Sequence, residues 1–596
     1  MSEEKNPGID SHLLRRIIKF LVPYKKWVIV ASTSVIVAAF LGPLIPKLIQ
    51  VTIDRDVASG DLVGLRNMIG ILFVILLAEG ALSFVNTYLT QWIGQQAIYD
   101  LRIRLYRHIQ SQSLRFFDST PIGRLITRVT SDVESLSDVL SAGLVTILGD
   151  LFKIIFISYF MFTLDWRLAL VALSVLPFMM WATFWFKNRV RLAYRDTRQQ
   201  VARLNSFLQE HISGMKIVQI YGREPEEKNR FEAINDDHRQ AQIKTVFYFA
   251  LFFPLADLVA SIALGLVIWV GGLNAIGGTL TLGVLIAFIQ YVRQFFEPIR
   301  NLSDQFNTLQ SAMAGAERIF GLLDSDESIV QVAHPIPLST VKGRIEFKNV
   351  WFSYDQSVDP SNDDANWILK DVSFVVEPGQ SLAIVGATGA GKTTIISLLL
   401  RFYDVQRGEI WLDGVPIHQT SLVELRSHIG LVLQDVFLFS GSVKENITLR
   451  NPEISDQVMK DASLAIGAAG FIERLPGGFD YQVKERGISL SHGQRQLLSF
   501  VRTLVYDPTI LVLDEATSSV DTETEEVIQH AMETLMAGRT TVAIAHRLST
   551  VQHADQILVM HKGQVRERGS HQQLIAADGL YRKLYELQYR DQELLA

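Results

Sequence analysis

The stretch Ser381-Leu382-Ala383-Ile384-Val385-Gly386-Ala387-Thr388-Gly389-Ala390-Gly391-Lys392-Thr393-Thr394 decides how the second half of this chain folds. Its first five residues read as a buried strand, and the apolar run that continues to Leu400 reads as a helix. Between them stands G-x-x-x-x-G-K-T. Glycines let the backbone curl until its N–H groups face phosphate oxygens, Lys392 reaches the β- and γ-phosphates, and the Thr393 hydroxyl is offered to Mg²⁺. Glycine-rich loops also arise by chance, but here the strand and the helix flank the loop as phosphate binding requires. Gly386, Thr388, Gly389, Ala390, Gly391, Lys392, Thr393 and Thr394 are therefore the expected phosphate contacts. Further on, Thr509-Ile510-Leu511-Val512-Leu513-Asp514-Glu515 is a buried-strand run ending in two acids. In a P-loop ATPase the first acid holds Mg²⁺, usually through water, and the second orients or deprotonates the attacking water. Two acids after a strand are usually a solvated strand end; behind a P-loop they complete a nucleotide site.

Working outward, residues 341–596 mix strand and helix patterns with ordinary soluble composition, so an α/β P-loop ATPase domain is expected there. A polar, Pro-containing linker precedes it at 324–340. The whole chain is different in character: 48% hydrophobic, 20% charged, with mean hydropathy +0.20. That surplus lies before Phe320, in a membrane all-α domain over 27–323. Trp27 to Pro46 carries no charge and is about long enough for a ~30 Å hydrocarbon core. Five more crossings follow near Met68–Ile93, Leu144–Leu164, Leu168–Phe186, Val246–Ile276 and Leu280–Phe296, giving six transmembrane helices. Residues 1–26 form a cytoplasmic elbow whose Leu13–Leu21 stretch is amphipathic and suited to the interface. Arginines crowd two long connections, Ala97–Gly143 and Lys187–Thr245, which places these, both termini and the ATPase domain in the cytoplasm. Each connection reads as two helical extensions with a reversal, one at Asp118–Gly123 and one near Gly214.

The net charge of −6 argues against a nucleic-acid partner. Zero Cys excludes disulfides, thiolate catalysis and Cys-ligated zinc. Ionisable residues inside the spans, Glu79, Asp150, Lys153, Asp257 and Arg293, are functional candidates, although Asp150 and Lys153 stand three apart on one helix and suit mutual neutralisation. Aromatic residues in the fifth and sixth spans suit bulky apolar ligands, but lipid-facing packing is the better account of most of them.

At Leu490-Ser491-His492-Gly493-Gln494-Arg495-Gln496 the chain resembles the signature of ATP-binding cassette proteins; with six spans ahead of it, it resembles an ABC exporter half-transporter over essentially its whole length. The resemblance implies that Tyr354 stacks on adenine, that Gln434 touches Mg²⁺ together with Thr393 and Asp514, that Ser519-Val520-Asp521 crosses a dimer interface, and that His546 contacts the γ-phosphate. It makes Glu515, His546, Lys392 and Gln434 the catalytic set, with ATP and Mg²⁺ as cofactors. Glu485-Arg486-Gly487 is similar to the exporter segment that meets the coupling helices, though Lys484 replaces the usual glycine. Each of these residues alone has a blander role as a strand aromatic, a loop amide or a satisfied histidine. Their joint order along the chain makes coincidence implausible.

Ser491, Gly493 and Gln494 would meet ATP held by a second cassette, so one cassette per chain implies a dimer. The usual third signature residue is Gly; here it is His492. An altered signature beside an intact Glu515 resembles the catalytic half of a heterodimeric multidrug exporter, while a homodimer that tolerates His492 is the other possibility. The expected function is ATP-driven export of hydrophobic or amphipathic drugs or lipids across a plasma (inner) membrane. A homodimeric lipid flippase and an ATP-gated channel or regulator are the alternatives.

Overall fold

The computed structural model describes residues 11–588 except 339, 356–357, 360, 364–365, 515–521 and 546–547. It forms two compact units, Met1–Gln110 with Ile122–Ser325, and Ser111–Pro121 with Asp326–Ala596.

The first unit is helical throughout. Among its described helices, five are long and apolar enough to cross a membrane: Val22–Val57, Leu62–Ser111, Ile122–Leu164, Trp166–Ser213 and Glu224–Ile276. A sixth long helix, Leu282–Asp324, occupies the place expected for the last span. Its apolar half is interrupted by Gln290, Arg293, Gln294 and Glu297, and this polarity sets it apart from the other five. Chain reversals fall where Pro and Gly break helical spacing. The short helix Leu114–Ser119 precedes Pro121, and Leu176–Ser213 ends at Gly214 before the short helix Met215–Ile220.

Packing in this unit joins residues that local sequence does not pair. Phe186 stacks on Phe252 with ring centroids 4.0 Å apart. Thr197 and Thr245 share a buried hydroxyl–hydroxyl hydrogen bond of 3.1 Å. Tyr291, fully buried, donates to the Pro43 carbonyl at 2.8 Å. At the start of the sixth helix, Asp54 accepts from the Thr281 hydroxyl at 2.5 Å and from the Gly283 N–H at 2.9 Å. That carboxylate satisfies donors which the first turn leaves without an intrahelical acceptor. Ser11–Lys19 is a helix, as its amphipathic pattern predicts; Ile17 is buried and Arg16 grips Asp324 with two hydrogen bonds of 2.6 and 2.7 Å. Lys153 makes its ion pair with Glu297 at 2.9 Å, on the sixth helix, and not with its helical neighbour Asp150.

The second unit carries two principal sheets. Leu369–Val376, Ile345–Phe352, Arg407–Leu412 and Val415–Pro416 form an antiparallel sheet in that order. Its alternation is legible in Ile345-Glu346-Phe347, and Phe347 stacks across the strand pair on Phe374 at 4.5 Å. A six-stranded sheet runs Gln564–Gly569, Gln556–His561, Ser381–Gly386, Thr540–Ile544, Ile510–Asp514 and Ile429–Val432, parallel except for its first strand. Helices cover it, and its central strands are buried through their middles, with only Ser381, Gly386 and Asp514 partly exposed at strand ends, as a parallel sheet demands. The connecting segment after Asp326 is pinned to this unit: the Arg401 guanidinium donates to the Val330 carbonyl at 2.9 Å, and Glu424 accepts from the Leu338 N–H at 2.6 Å.

Candidate nucleotide site

In parallel register Ile384 pairs with Ile544, Ile544 with Asp514, and Val432 with Leu513. The strand ends Gly386, Ile544, Asp514 and Val432 therefore line one edge of the sheet, the carboxyl edge where open α/β sheets bind ligands. From this edge emerge the glycine-rich loop after Gly386 and, past Val432, the exposed Gln434. Asp514 is the last described residue of its strand. Glu515, Ser519-Val520-Asp521 and His546 lie outside the described residues.

Two glycines are demanded by geometry. Gly386 lies so close to the neighbouring strand that a Cβ there would sit 2.3 Å from the Met560 carbonyl oxygen. Gly391, at φ 101°, caps the helix Lys392–Leu399 in the left-handed region, and a Cβ would meet Leu369 Cδ2 at 2.6 Å. Only glycine allows the loop to curl tightly into the helix N-terminus, where free N–H groups and the helix dipole favour an anion. Thr388, Gly389 and Thr393 are exposed on the loop, while Ala390 and Thr394 are buried beneath it.

Lys392 is 8% exposed. Its ammonium donates to the Gly386 carbonyl at 2.7 Å and the Ala387 carbonyl at 3.2 Å, folded back over the loop. Burial holds its pKa below the ordinary lysine range, and the negative charge of Asp514 acts against that shift. A buried cation whose hydrogen-bond partners are neutral carbonyls is poised for an anionic ligand. The cradle fits a nucleotide's phosphates, and Thr393, Gln434 and Asp514 are oxygen donors of the kind Mg²⁺ takes.

Tyr354, 44% exposed, follows the strand Ile345–Phe352 and reaches the loop, its hydroxyl 3.1 Å from the Thr394 hydroxyl. Edge-to-face contacts hold its ring: Phe352 at 4.9 Å and Tyr403 at 5.2 Å between centroids. Tyr403 is a residue the sequence reading did not single out. It is nearly buried, and its hydroxyl donates to Asp118, which belongs to the short helix Leu114–Ser119. Arg115 of that helix lies 5.9 Å from the Tyr403 ring. Its only sequence signal is a polar aromatic directly after the P-loop helix, in Arg401-Phe402-Tyr403-Asp404.

The signature residues stand at the start of His492–Val505. Ser491 accepts from the Gln494 N–H at 3.2 Å and the Gln494 side chain accepts from the Ser491 N–H at 3.0 Å, a reciprocal capping box that fixes the helix entry. Gly493 is buried and His492 half-buried, its Nδ1 inside the protein with no hydrogen-bond partner among the described residues. Among the described residues, no hydrogen bond joins Ser491, Gly493 or Gln494 to Lys392. The structure thus brings together Tyr354, Thr394, Lys392 and Asp514, and leaves the signature as a separately capped helix start.

The description "ABC transporter transmembrane region" matches residues 28–299, and "ABC transporter" matches residues 369–518. An ATP-dependent lipid A-core flippase of Syntrophus aciditrophicus is 35% identical over 591 residues, 99% of this chain and 96% of its own length. The chain belongs to the ABC transporter family. It is an exporter half-transporter, with a helical transmembrane domain fused to one ATP-hydrolysing cassette. A putative multidrug export ATP-binding/permease protein of Staphylococcus aureus is 38% identical over 583 residues, 97% of this chain and all of that one. Among solved structures, a bacterial Atm1-family ABC exporter with ATP bound matches with TM-score 0.76 and 27% identity, over 95% of this chain and 98% of that chain. This ABC exporter is accordingly a multi-pass membrane protein.

Proposed function

We propose that this chain is the catalytic half of a heterodimeric exporter that moves hydrophobic or amphipathic compounds out of the cytoplasm at the expense of ATP. One observation carries the nucleotide part: the buried Lys392 ammonium, held on two loop carbonyls at the carboxyl edge of the sheet, with the Asp514 charge acting on it. Lys392 would bind the β- and γ-phosphates, Tyr354 would orient the base, and Glu515 would take the proton from the attacking water while His546 holds the γ-phosphate. Thr393, Gln434 and Asp514 would hold Mg²⁺, which when bound offsets the charge of the phosphate oxygens. The membrane-embedded polar groups and the lipid and multidrug exporters among its relatives support an amphipathic substrate.

The heterodimer rests on His492, which places an imidazole where a second cassette's nucleotide would meet the signature. The partner would contribute an unaltered signature to this chain's Lys392, Asp514 and Glu515. Native mass and ATPase activity of the full chain, alone and with a co-expressed candidate half-transporter, test this. Hydrolysis only with the partner, lost in Glu515→Gln, is expected. A stable self-dimer hydrolysing ATP at two equivalent sites would instead support the homodimer reading.

A further inference from the structure

Tyr354 stands just past the end of the strand Ile345–Phe352, beyond the last pair of the ladder on either side: Trp351 with Arg407, and Phe352 with Leu369. It opens a loop that rejoins the sheet only at Leu369. A first loop residue without backbone ties moves on the nanosecond-to-microsecond scale. Here a side chain takes over where the ladder stops. Gln406 Oε1 accepts from the Ser353 N–H at 3.1 Å, and Gln406 Nε2 donates to the Ser353 carbonyl at 2.6 Å. A glutamine amide carries the same donor and acceptor as a peptide group, so this pair continues the sheet past its last strand residue.

The rest of the neighbourhood makes that tie a rigid one. Ser353 is 3% exposed, and its hydroxyl donates to the Asn366 carbonyl at 3.1 Å and accepts from the Asp355 N–H at 3.3 Å. The Phe352 carbonyl accepts from the Ile368 N–H at 2.9 Å. Gln406 is fixed in turn by its neighbour Arg407, whose guanidinium lies 5.1 Å from the Trp351 ring and 5.3 Å from the Trp367 ring and pairs with Asp363 at 2.6 Å. Buried Trp367 donates through Nε1 to the Asn362 carbonyl at 2.9 Å, which closes the far side of the loop. Phe352, Tyr403 and Thr394 set the direction of the Tyr354 ring once its Cα is in place. The Ser353 backbone places that Cα, and Gln406 holds the Ser353 backbone.

We propose that Gln406 is a positioning residue for ATP: it presents the Tyr354 ring to the base already ordered, so that binding does not have to supply that order. Its amide is spent on Ser353, so it acts through Tyr354. The proposal rests on the reading of Tyr354 as the base-stacking residue.

The test is equilibrium binding of ATP and of inorganic tripolyphosphate to the full-length transporter in nanodiscs, without Mg²⁺ so that hydrolysis plays no part. Gln406→Met keeps the side-chain length and removes both the donor and the acceptor. It should weaken ATP about fivefold and tripolyphosphate less than twofold, because the triphosphate uses the loop around Lys392 and not the ring. In a Tyr354→Ala background the same substitution should cost less than a further twofold, since no ring is left to place. Gln406→Glu, which keeps the acceptor and sets an oxygen against the Ser353 carbonyl, carries the same expectations and serves if Gln406→Met fails to fold. Equal losses for ATP and tripolyphosphate, or fully additive losses in the double variant, would make Gln406 a fold-stabilising residue only and overturn the proposal. Unchanged ATP affinity in the Gln406 variants, beside a Tyr354→Ala that weakens ATP, overturns it while the stacking reading stands. A Tyr354→Ala that binds ATP as tightly as the parent removes the stacking reading and this proposal with it.

Discussion

The hydroxyl of Tyr403 donates a hydrogen bond to the carboxylate of Asp118, across 285 residues of sequence. Tyr403 also meets the ring of Tyr354, whose own hydroxyl reaches Thr394 on the P-loop helix. A continuous set of side-chain contacts therefore runs from the nucleotide cradle to the short helix between two long membrane helices. Burial first, and the hydrogen bond to Asp118 second, hold the Tyr403 hydroxyl far above the ordinary tyrosine range, so it stays a donor throughout the physiological range.

Tyr403→Phe removes that donor and keeps the ring. Asp118 is exposed and rehydrates, so the loss should be modest, about 1 kcal/mol, or roughly a fivefold shift in the fraction of transporter with the short helix held. Ligand-stimulated ATPase activity should fall several-fold while KM for ATP stays within about twofold. A rise in KM with stimulation intact would place Tyr403 in nucleotide binding instead.

Tyr354 separates stacking from hydrogen bonding. Tyr354→Phe retains a ring over the base and loses only the contact to Thr394, whereas Tyr354→Ala loses both. Base stacking on an aromatic ring is worth about 1–3 kcal/mol, so KM for ATP should rise about 5- to 160-fold in Tyr354→Ala and less than threefold in Tyr354→Phe. Equal effects of the two variants would refute the stacking role.

How much of this was legible in the sequence depended on whether an interaction is local. The P-loop announces itself because all its parts are contiguous: strand, glycines, lysine and helix follow one another from Ser381 to Leu400. The capping box at Ser491 and Gln494 is likewise a spacing of three. Tyr403 had no such signature, because its partner Asp118 is brought to it only by tertiary folding. The partner of Lys153 escaped for the same reason: helical spacing offers Asp150, but which helix packs alongside is decided by side-chain fit, and it supplies Glu297. Sequence periodicity marked the sixth long helix without showing that four polar residues would make it less apolar than the other five.

Lys392 yields a pH prediction. Its folded-state pKa is depressed by burial, so below that pKa the unfolded chain holds the proton more tightly than the folded one. The nucleotide-free protein is penalised there, and the penalty fades as pH rises through the folded value toward the ordinary lysine pKa. Lys392→Met should therefore leave the nucleotide-free Tm unchanged or slightly higher and flatten its rise at alkaline pH. The stabilisation by added ATP should disappear. A variant with a markedly lower nucleotide-free Tm would show that the lysine's two carbonyl hydrogen bonds outweigh its burial cost.

His492 offers the sharpest division between the two assemblies. In the proposed heterodimer its imidazole faces the nucleotide of the partner cassette, which lacks a full catalytic set, while this chain's Glu515 works with the partner's signature. His492→Gly should then change the maximal ATPase rate of the complex by less than about twofold, because the productive site contains none of the altered atoms. In a homodimer both sites contain His492, and removing its bulk from beside each γ-phosphate should alter the rate several-fold; a 1 kcal/mol change in transition-state stabilisation is about fivefold in rate. The substitution keeps the Ser491 and Gln494 capping box, which uses no atom of His492, so the helix start survives at a cost of up to about 1 kcal/mol for glycine in the first turn. Steady-state ATPase rates of the variant, measured on the full transporter beside Glu515→Gln, decide between the two outcomes.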